Sequence, residues 1–332
     1  MQRVWGVETV GTLVDVVVGG SVVGAGGSVS TVDLGAELAG SAGGRAAHVP
    51  STVVTSIEHG RALSGETWLR PQALAFALLA EHVLGRGIAV FSGSFIEVFD
   101  RLGIGEHAAR ATLARMTNRG LLVRHRRGRR VYFGLTPRCE RILEDGRLRI
   151  WVTGAVNDDT DGPWTLLSFS MPETWQRQRH DLRSRLTWSG FGPLQSGLWI
   201  APGRVDVAAI VAELGLDAHV RVFHATPAAP TDLIQVVSGV FDLGALAAGY
   251  ERFLATWDRP GADRNAGDAL ALTLRLSTEW LQVIRRDPRL PLHLLPDGWP
   301  AVRAQEVFVS LHSANDGDAN RIAAELFDAI AT

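Results

Sequence analysis

The stretch Glu106-His107-Ala108-Ala109-Arg110-Ala111-Thr112-Leu113-Ala114-Arg115-Met116-Thr117-Asn118, followed shortly by Leu122-Val123-Arg124-His125-Arg126-Arg127-Gly128-Arg129-Arg130-Val131-Tyr132-Phe133, decides how this chain is read. Its first half has the period of a helix. At about 100° per residue, Ala109, Thr112, Leu113 and Met116 fall on one side, and His107, Ala111, Ala114 and Asn118 on the other. Arg110 and Arg115 flank the second side on opposite edges. Two alanines at its centre permit close approach, so the helix could enter a major groove with two guanidiniums reaching phosphates or guanine edges. The same pattern also fits a solvated face with incidental arginines, and the helix alone does not separate the two.

The second half tips the balance. Leu121 to Val123 and Val131 to Leu135 read as strands joined by Arg126-Arg127-Gly128-Arg129, with Gly128 supplying the positive φ of a tight hairpin turn. Between residues 101 and 149 there are 13 arginines against Glu106, Glu140, Glu144 and Asp145, in a chain whose formal net charge is −2. Charge so segregated is a footprint for a polyanion. Upstream, Pro71 opens an apolar run through Leu74, Leu78, Leu79 and Val83, and Ser94-Phe95-Ile96-Glu97 reads as a capping box ahead of Val98, Phe99 and Leu102. Residues 67–137 are therefore expected to form a winged helix-turn-helix. Its expected contacts with double-stranded DNA are His107, Arg110, Ala111, Ala114, Arg115, Asn118, Arg126, Arg127, Arg129 and Arg130.

Composition narrows the remainder. The 332 residues are 46% hydrophobic and 20% charged, which indicates a soluble globular protein. All 33 basic side chains are arginine, so Schiff-base lysine chemistry and the lysine of a P-loop are excluded. The plainest reading of that preference is codon bias in a GC-rich genome. Cys139 is the lone cysteine, which rules out an internal disulfide, a cysteine zinc site and a CxxC pair. No run approaches the ~18 apolar residues of a membrane helix. Glu8 and Asp15 interrupt what would be a secretory signal, so a cytoplasmic location is expected. Residues 1–66 are rich in glycine and valine without sustained periodicity and are expected to be a disordered extension.

Residues 138–162 read as a linker. Residues 163–228 run βαββαβ, the ferredoxin-like order, and their first helix is crowded by Arg177, Arg179, Arg183 and Arg185, either a solvated face or a second nucleic-acid contact. This module has no strand-end acidic pair for a metal, so a dimerisation or spacer role fits it better. Residues 229–332 read as an all-helical domain with segments near 231–257, 266–287, 301–313 and 318–330. The fold class expected is thus α+β and multidomain. No HExxH, GxSxG or strand-preceded GxGxxG motif is present, and no metal site, cofactor or catalytic residue is expected.

From about Trp68 to Ala324 the chain resembles the PaaX family of bacterial transcriptional repressors, named for control of phenylacetate degradation. The likeness rests on the recognition segment Glu106 to Leu122, and on Arg127-Gly128-Arg129-Arg130 through Leu135-Thr136. It continues in Leu186-Thr187-Trp188-Ser189-Gly190-Phe191-Gly192 and in Phe241-Asp242-Leu243 with Tyr250 and Phe253-Leu254. Arg286-Asp287-Pro288-Arg289-Leu290-Pro291, Leu294-Leu295-Pro296 and Trp299-Pro300 complete it. The resemblance implies a Cas2-like middle module and a homodimeric repressor of a catabolic operon. It also implies that an aryl-acyl-coenzyme A such as phenylacetyl-coenzyme A relieves DNA binding. Trp280, Arg285, Arg286 and Trp299 are candidates to hold such an effector, although tryptophans also pack helices together. An acyl-coenzyme A-dependent enzyme on the same fold, with His224 or His293 as base, is the alternative. A winged helix that binds another protein is a third reading, which the local positive charge disfavours.

Overall fold

The computed structural model describes residues 70–261 and 267–332; the expected extension over residues 1–66 lies outside them. Pro71 begins α1 (Pro71–His82), where its missing N–H costs nothing, and α1 buries Leu74, Leu78 and Leu79. A short strand β1 (Ile88–Phe91) leads directly into α2 (Ser92–Arg101), and α3 follows over Glu106–Asn118. Then come β2 (Leu122–Arg127) and β3 (Arg130–Leu135), joined through Gly128 at φ +59°, a backbone geometry that disfavours any residue with a Cβ.

The expected capping box is not formed. The residue at the N-cap of α2 is Phe91, without a side-chain bond. Ser94 instead donates its hydroxyl to the Leu326 carbonyl at 2.9 Å and accepts from the Asp328 amide at 3.1 Å. A tertiary partner has taken the hydroxyl that local sequence assigned to the helix start.

The expected linker is also corrected. It begins with α4 (Pro137–Leu148) and runs on as a π-helical turn, Arg149–Thr153. Thr136 caps α4 by accepting from the Cys139 amide at 3.2 Å, and Cys139 and Leu143 are buried. Only beyond Thr153 is the segment irregular up to the central module.

That module has strands β4 (Trp164–Phe169), β5 (Gly192–Gln195), β6 (Leu198–Pro202) and β7 (Val220–Ala225), with α5 (Gln176–Trp188) and α6 (Ala208–Glu213) between them. All pairings are antiparallel and the sheet order is β5-β6-β4-β7. Leu167, Leu182, Leu186 and Leu216 are buried between the sheet and its helices. The other face of the sheet is covered by α7 (Leu233–Val240) and by Leu290 and Leu294.

Helices α8 (Leu243–Trp257), α9 (Ala269–Ile284) and α10 (Pro300–Leu326) form the C-terminal layer. Asp242 caps α8 by accepting from the Ala245 amide at 2.9 Å. Where two helices were expected over 301–313 and 318–330, α10 runs uninterrupted through Gly317. The final residues are not helical: Ala329–Ala331 form β8, which pairs with β1 and makes the sheet order β2-β3-β1-β8. The layer is therefore helical but for its last strand. No single helix among the described residues is long and apolar enough to cross a membrane.

The central module has a buried cluster of its own, but the first and last segments share one. Leu270 and Leu274 of α9 and Ala319 and Ala323 of α10 share one buried cluster with Leu78, Phe95, Leu113 and Phe133. Arg101 of α2 is ion-paired to Asp268, which also caps α9 by accepting from Ala271 at 2.9 Å. A boundary at residue 137 therefore describes the order of modules along the chain and not their packing.

Candidate nucleic-acid interface

Helix α3 buries Ala109, Thr112, Leu113 and Met116. On its opposite side His107 and Asn118 are exposed, and Ala111 and Ala114 are half-buried. Arg110 is held by Glu106 one turn earlier, with Nε to Oε1 at 2.7 Å. Both side chains are exposed, so the pair is worth little in water, and its guanidinium can exchange the carboxylate for another anion. Arg115 is exposed and donates to Thr112 Oγ1 at 2.9 Å, which aims it along the helix edge.

The hairpin register sets where its arginines face. Leu122 pairs with Leu135, Arg124 with Phe133 and Arg126 with Val131, so Arg124 and Arg126 share the face that buries Leu122 and Phe133. They extend this core-facing side outward into solvent. Arg127 and Arg129 stand exposed at the turn. The ion pairs of this basic segment involve Arg101, Arg110, Arg130, Arg147 and Arg149, leaving Arg124, Arg126, Arg127 and Arg129 without a carboxylate within 4.0 Å among the described residues.

Arg130 differs from its neighbours. It forms an ion pair with Asp328 and its guanidinium lies 5.2 Å from the Phe91 ring centre, while Tyr132 Oη donates to the same carboxylate at 3.2 Å. Four residues read as a single arginine cluster thus divide into three uncommitted cations and one that fastens the end of the chain. Arg124 was missed. Its guanidinium is 5.8 Å from the Phe133 ring centre, and the alternation Leu122, Arg124, Arg126 is the signal that could have found it.

The four effector candidates separate. Trp280 has 0% exposure and stacks on Phe308 with ring centres 4.9 Å apart, so no face of its ring is open to a ligand. Trp299 is buried in the same cluster. Arg286 is exposed, and Arg285 meets another ring, its guanidinium 4.2 Å from the centre of Trp188. Trp188 was not singled out as a binding residue, although it stands in the Leu186–Gly192 motif.

Two other motifs meet in one buried network. Tyr250 Oη donates to Asp287, whose Oδ1 accepts the Arg289 amide at 2.6 Å, and this bond holds Arg289 at φ +58°. Asn157 Nδ2 donates to the Arg289 carbonyl at 2.8 Å, and Arg289 Nη2 to the Val156 carbonyl at 3.2 Å. Burial pushes the Asp287 carboxyl above its ordinary range despite the bonds from Tyr250 and Arg289. These residues fasten the segment leading to the central module onto the helical layer. His224 Nδ1 lies 3.2 Å from Thr165 Oγ1, which is itself bonded to the Gly203 carbonyl, and His293 is exposed elsewhere.

An arginine-rich unit of helices and a hairpin, an antiparallel βαββαβ sheet and a layer of long helices define a modular α+β protein. The family profile described as PaaX-like protein matches residues 70–139, that of the PaaX protein central Cas2-like domain residues 157–237, and that of the PaaX-like protein C-terminal domain residues 241–325. The chain belongs to the PaaX family. It is similar to the transcriptional repressor PaaX of Escherichia coli strain K12, 28% identical over 256 residues that cover 72% of this chain and 78% of that one. Its fold is similar to that of the uncharacterized protein Rv0674 from Mycobacterium tuberculosis, with a TM-score of 0.54, 22% identity, and coverage of 78% of this chain and 100% of the other.

Proposed function

We propose that this protein is a sequence-specific DNA-binding repressor in which α1 to α3 and the β2–β3 hairpin act as a winged helix-turn-helix. The observation that carries this reading is the set of exposed arginines on the hairpin, Arg124, Arg126, Arg127 and Arg129, that lack carboxylate partners among the described residues and stand beside a recognition helix with a small, polar outer face. Uncommitted guanidiniums are what phosphate contacts need, and a helix face with Ala111 and Ala114 at its centre permits close approach to base edges. The name of the Escherichia coli relative supports repression as the outcome. On this reading the protein is a cytoplasmic homodimer, its operator is an inverted repeat with half-sites spaced by whole helical turns, and an aryl-acyl-coenzyme A such as phenylacetyl-coenzyme A weakens the grip without being consumed.

The test is fluorescence anisotropy with the DNA upstream of its own gene and a scrambled duplex over a salt series. Arg127→Ala should weaken both complexes alike and reduce the salt slope by ~1 per lost phosphate contact, or ~2 in a symmetric dimer. An Arg127→Ala protein with unaltered affinity and salt slope removes the hairpin from the mechanism. Mass spectrometry that finds phenylacetyl-coenzyme A hydrolysed or transferred would favour an enzyme instead.

A further inference from the structure

Three elements end close together at the junction of the central module and the helical layer. Helix α4 ends at Leu148 with Arg149 as its C-cap, α9 ends at Ile284 with Arg285 and Arg286 following, and α5 ends on Trp188. The approach is enforced by backbone. Gly190 has φ +85°, and a Cβ there would stand 3.4 Å from Pro288 Cα, so the turn after Trp188 lies directly on the segment after Arg286. Arg149 itself is tied to Asp145, with Nε to Oδ2 at 3.1 Å.

Arg285 and Arg286 are not neutralised in this way. No ion pair among the described residues includes Arg285 or Arg286, and the contact shown for Arg285 is the Trp188 ring. Burial first, and then the charges of Arg149 and Arg286, together lower the Arg285 pKa to about 10, with Asp145 the one opposing charge. The negative end of α9 helps to seat a guanidinium at this position. It does not account for three arginines around one acid. Trp188, beneath Arg285, remains 41% exposed.

Resting on the proposed response to an acyl-coenzyme A, we propose that Arg149, Arg285 and Arg286 bind the phosphates of that ligand, with Trp188 supplying a ring for its planar part. Phosphate is the fitting partner because guanidiniums offer paired donors to it and a dianion would relieve the mutual repulsion of the cluster. The position also gives the ligand a mechanical connection to the recognition helix. Helix α4 is 12 residues long, so Arg149 stands ~18 Å along it from its first turn. At that first turn Thr136 donates to the Gly120 carbonyl at 2.8 Å, immediately after α3. A phosphate that draws Arg149 toward Arg285 therefore pulls on a rod whose other end holds the end of α3.

The experiment uses the full chain and isothermal titration with coenzyme A, adenosine 3′,5′-bisphosphate and phenylacetyl-coenzyme A. Operator affinity is measured in parallel. Wild-type protein should bind coenzyme A and the bisphosphate, and Arg285→Gln and Arg286→Gln should each bind them at least tenfold more weakly with unchanged operator affinity in the absence of ligand. Arg286 is exposed, so its variant keeps the test intact should Arg285→Gln fail to fold. Coenzyme A that binds neither wild type nor variants, or binds all equally, overturns the site. So does a loss of operator affinity by Arg286→Gln without ligand, which would make the cluster a DNA contact. If phenylacetyl-coenzyme A releases DNA from the variants as readily as from wild type, the effector reading stands and the site is wrong. If coenzyme A binding depends on the arginines but no acyl-coenzyme A moves operator affinity, the site stands and the effector reading is wrong.

Discussion

Cys139 sits on the first turn of α4 with 0% exposure, and burial pushes its thiol up to about 12. Thiolate is the reactive form, so the lone cysteine of this chain should be inert while the protein is folded. Ellman's reagent is expected to titrate no fast thiol at pH 8 and one after unfolding in guanidinium; a fast native reaction would contradict this burial. His82 makes a second residue-scale prediction. Burial lowers its pKa and outweighs the carboxylate of Glu81, 3.9 Å away, so the folded imidazole is neutral. Asp316 and Asn320 of α10 also favour its charged form, and Arg86 opposes it. The unfolded chain takes up the proton near the ordinary value of 6.5, so this contribution is complete above that pH and is lost as pH falls below it. Urea midpoints should therefore drop between pH 7.5 and 5.5, and His82→Phe should flatten that drop.

At the scale of elements, the strand β8 carries an unexpected share of the structure. It covers the open edge of β1 through the pairs Ile88 with Ala331 and Val90 with Ala329. The residue before it, Asp328, receives Arg130 and Tyr132, and its amide reaches Ser94. Ending the chain at Leu326 would bare an apolar strand edge and take from Ser94 the Asp328 amide and from Arg130 its carboxylate partner. Hydrogen exchange at residues 88–91 is expected to speed by at least tenfold, while β4 to β7 keep their protection. Equal protection in both proteins would mean that β1 holds without its outer neighbour. The same contacts set Arg130 apart from Arg127, since Arg130 already has an acidic partner within the fold.

At the scale of the whole molecule, the unit that carries α3 and the layer that carries α9 share one core. Leu274 lies in α9 yet belongs to the cluster of Leu78, Phe95 and Leu113. Leu274→Ala should cost ~2–5 kcal/mol of stability. Because the cavity would open beneath α1 to α3, the proposed function predicts that operator affinity falls with it in anisotropy measurements, although the residue is remote in sequence from the hairpin arginines. An unchanged affinity at equal folded fraction would show that the two parts are mechanically independent.

Local periodicity and turn chemistry were enough to read helices α1 to α3, the hairpin at Gly128, the βαββαβ order and the Asp242 cap, because each follows from residues within a few positions of one another. Resemblance added the family. The segregation of arginine into residues 101–149 was equally plain, since charge is counted and not folded. What needed tertiary structure were the partners of side chains whose alternatives lie far along the chain. Ser94 lost its capping role to residues 326 and 328, and Arg130 was claimed by Asp328. Trp280 was committed to Phe308, and Arg285 to Trp188. The helicity of residues 137–153 rests likewise on burial of Cys139 and Leu143 in a core that α9 and α10 help to build. A hydroxyl, a guanidinium or an indole carries the same chemistry wherever it stands, and only the packing of distant segments determines which neighbour it meets.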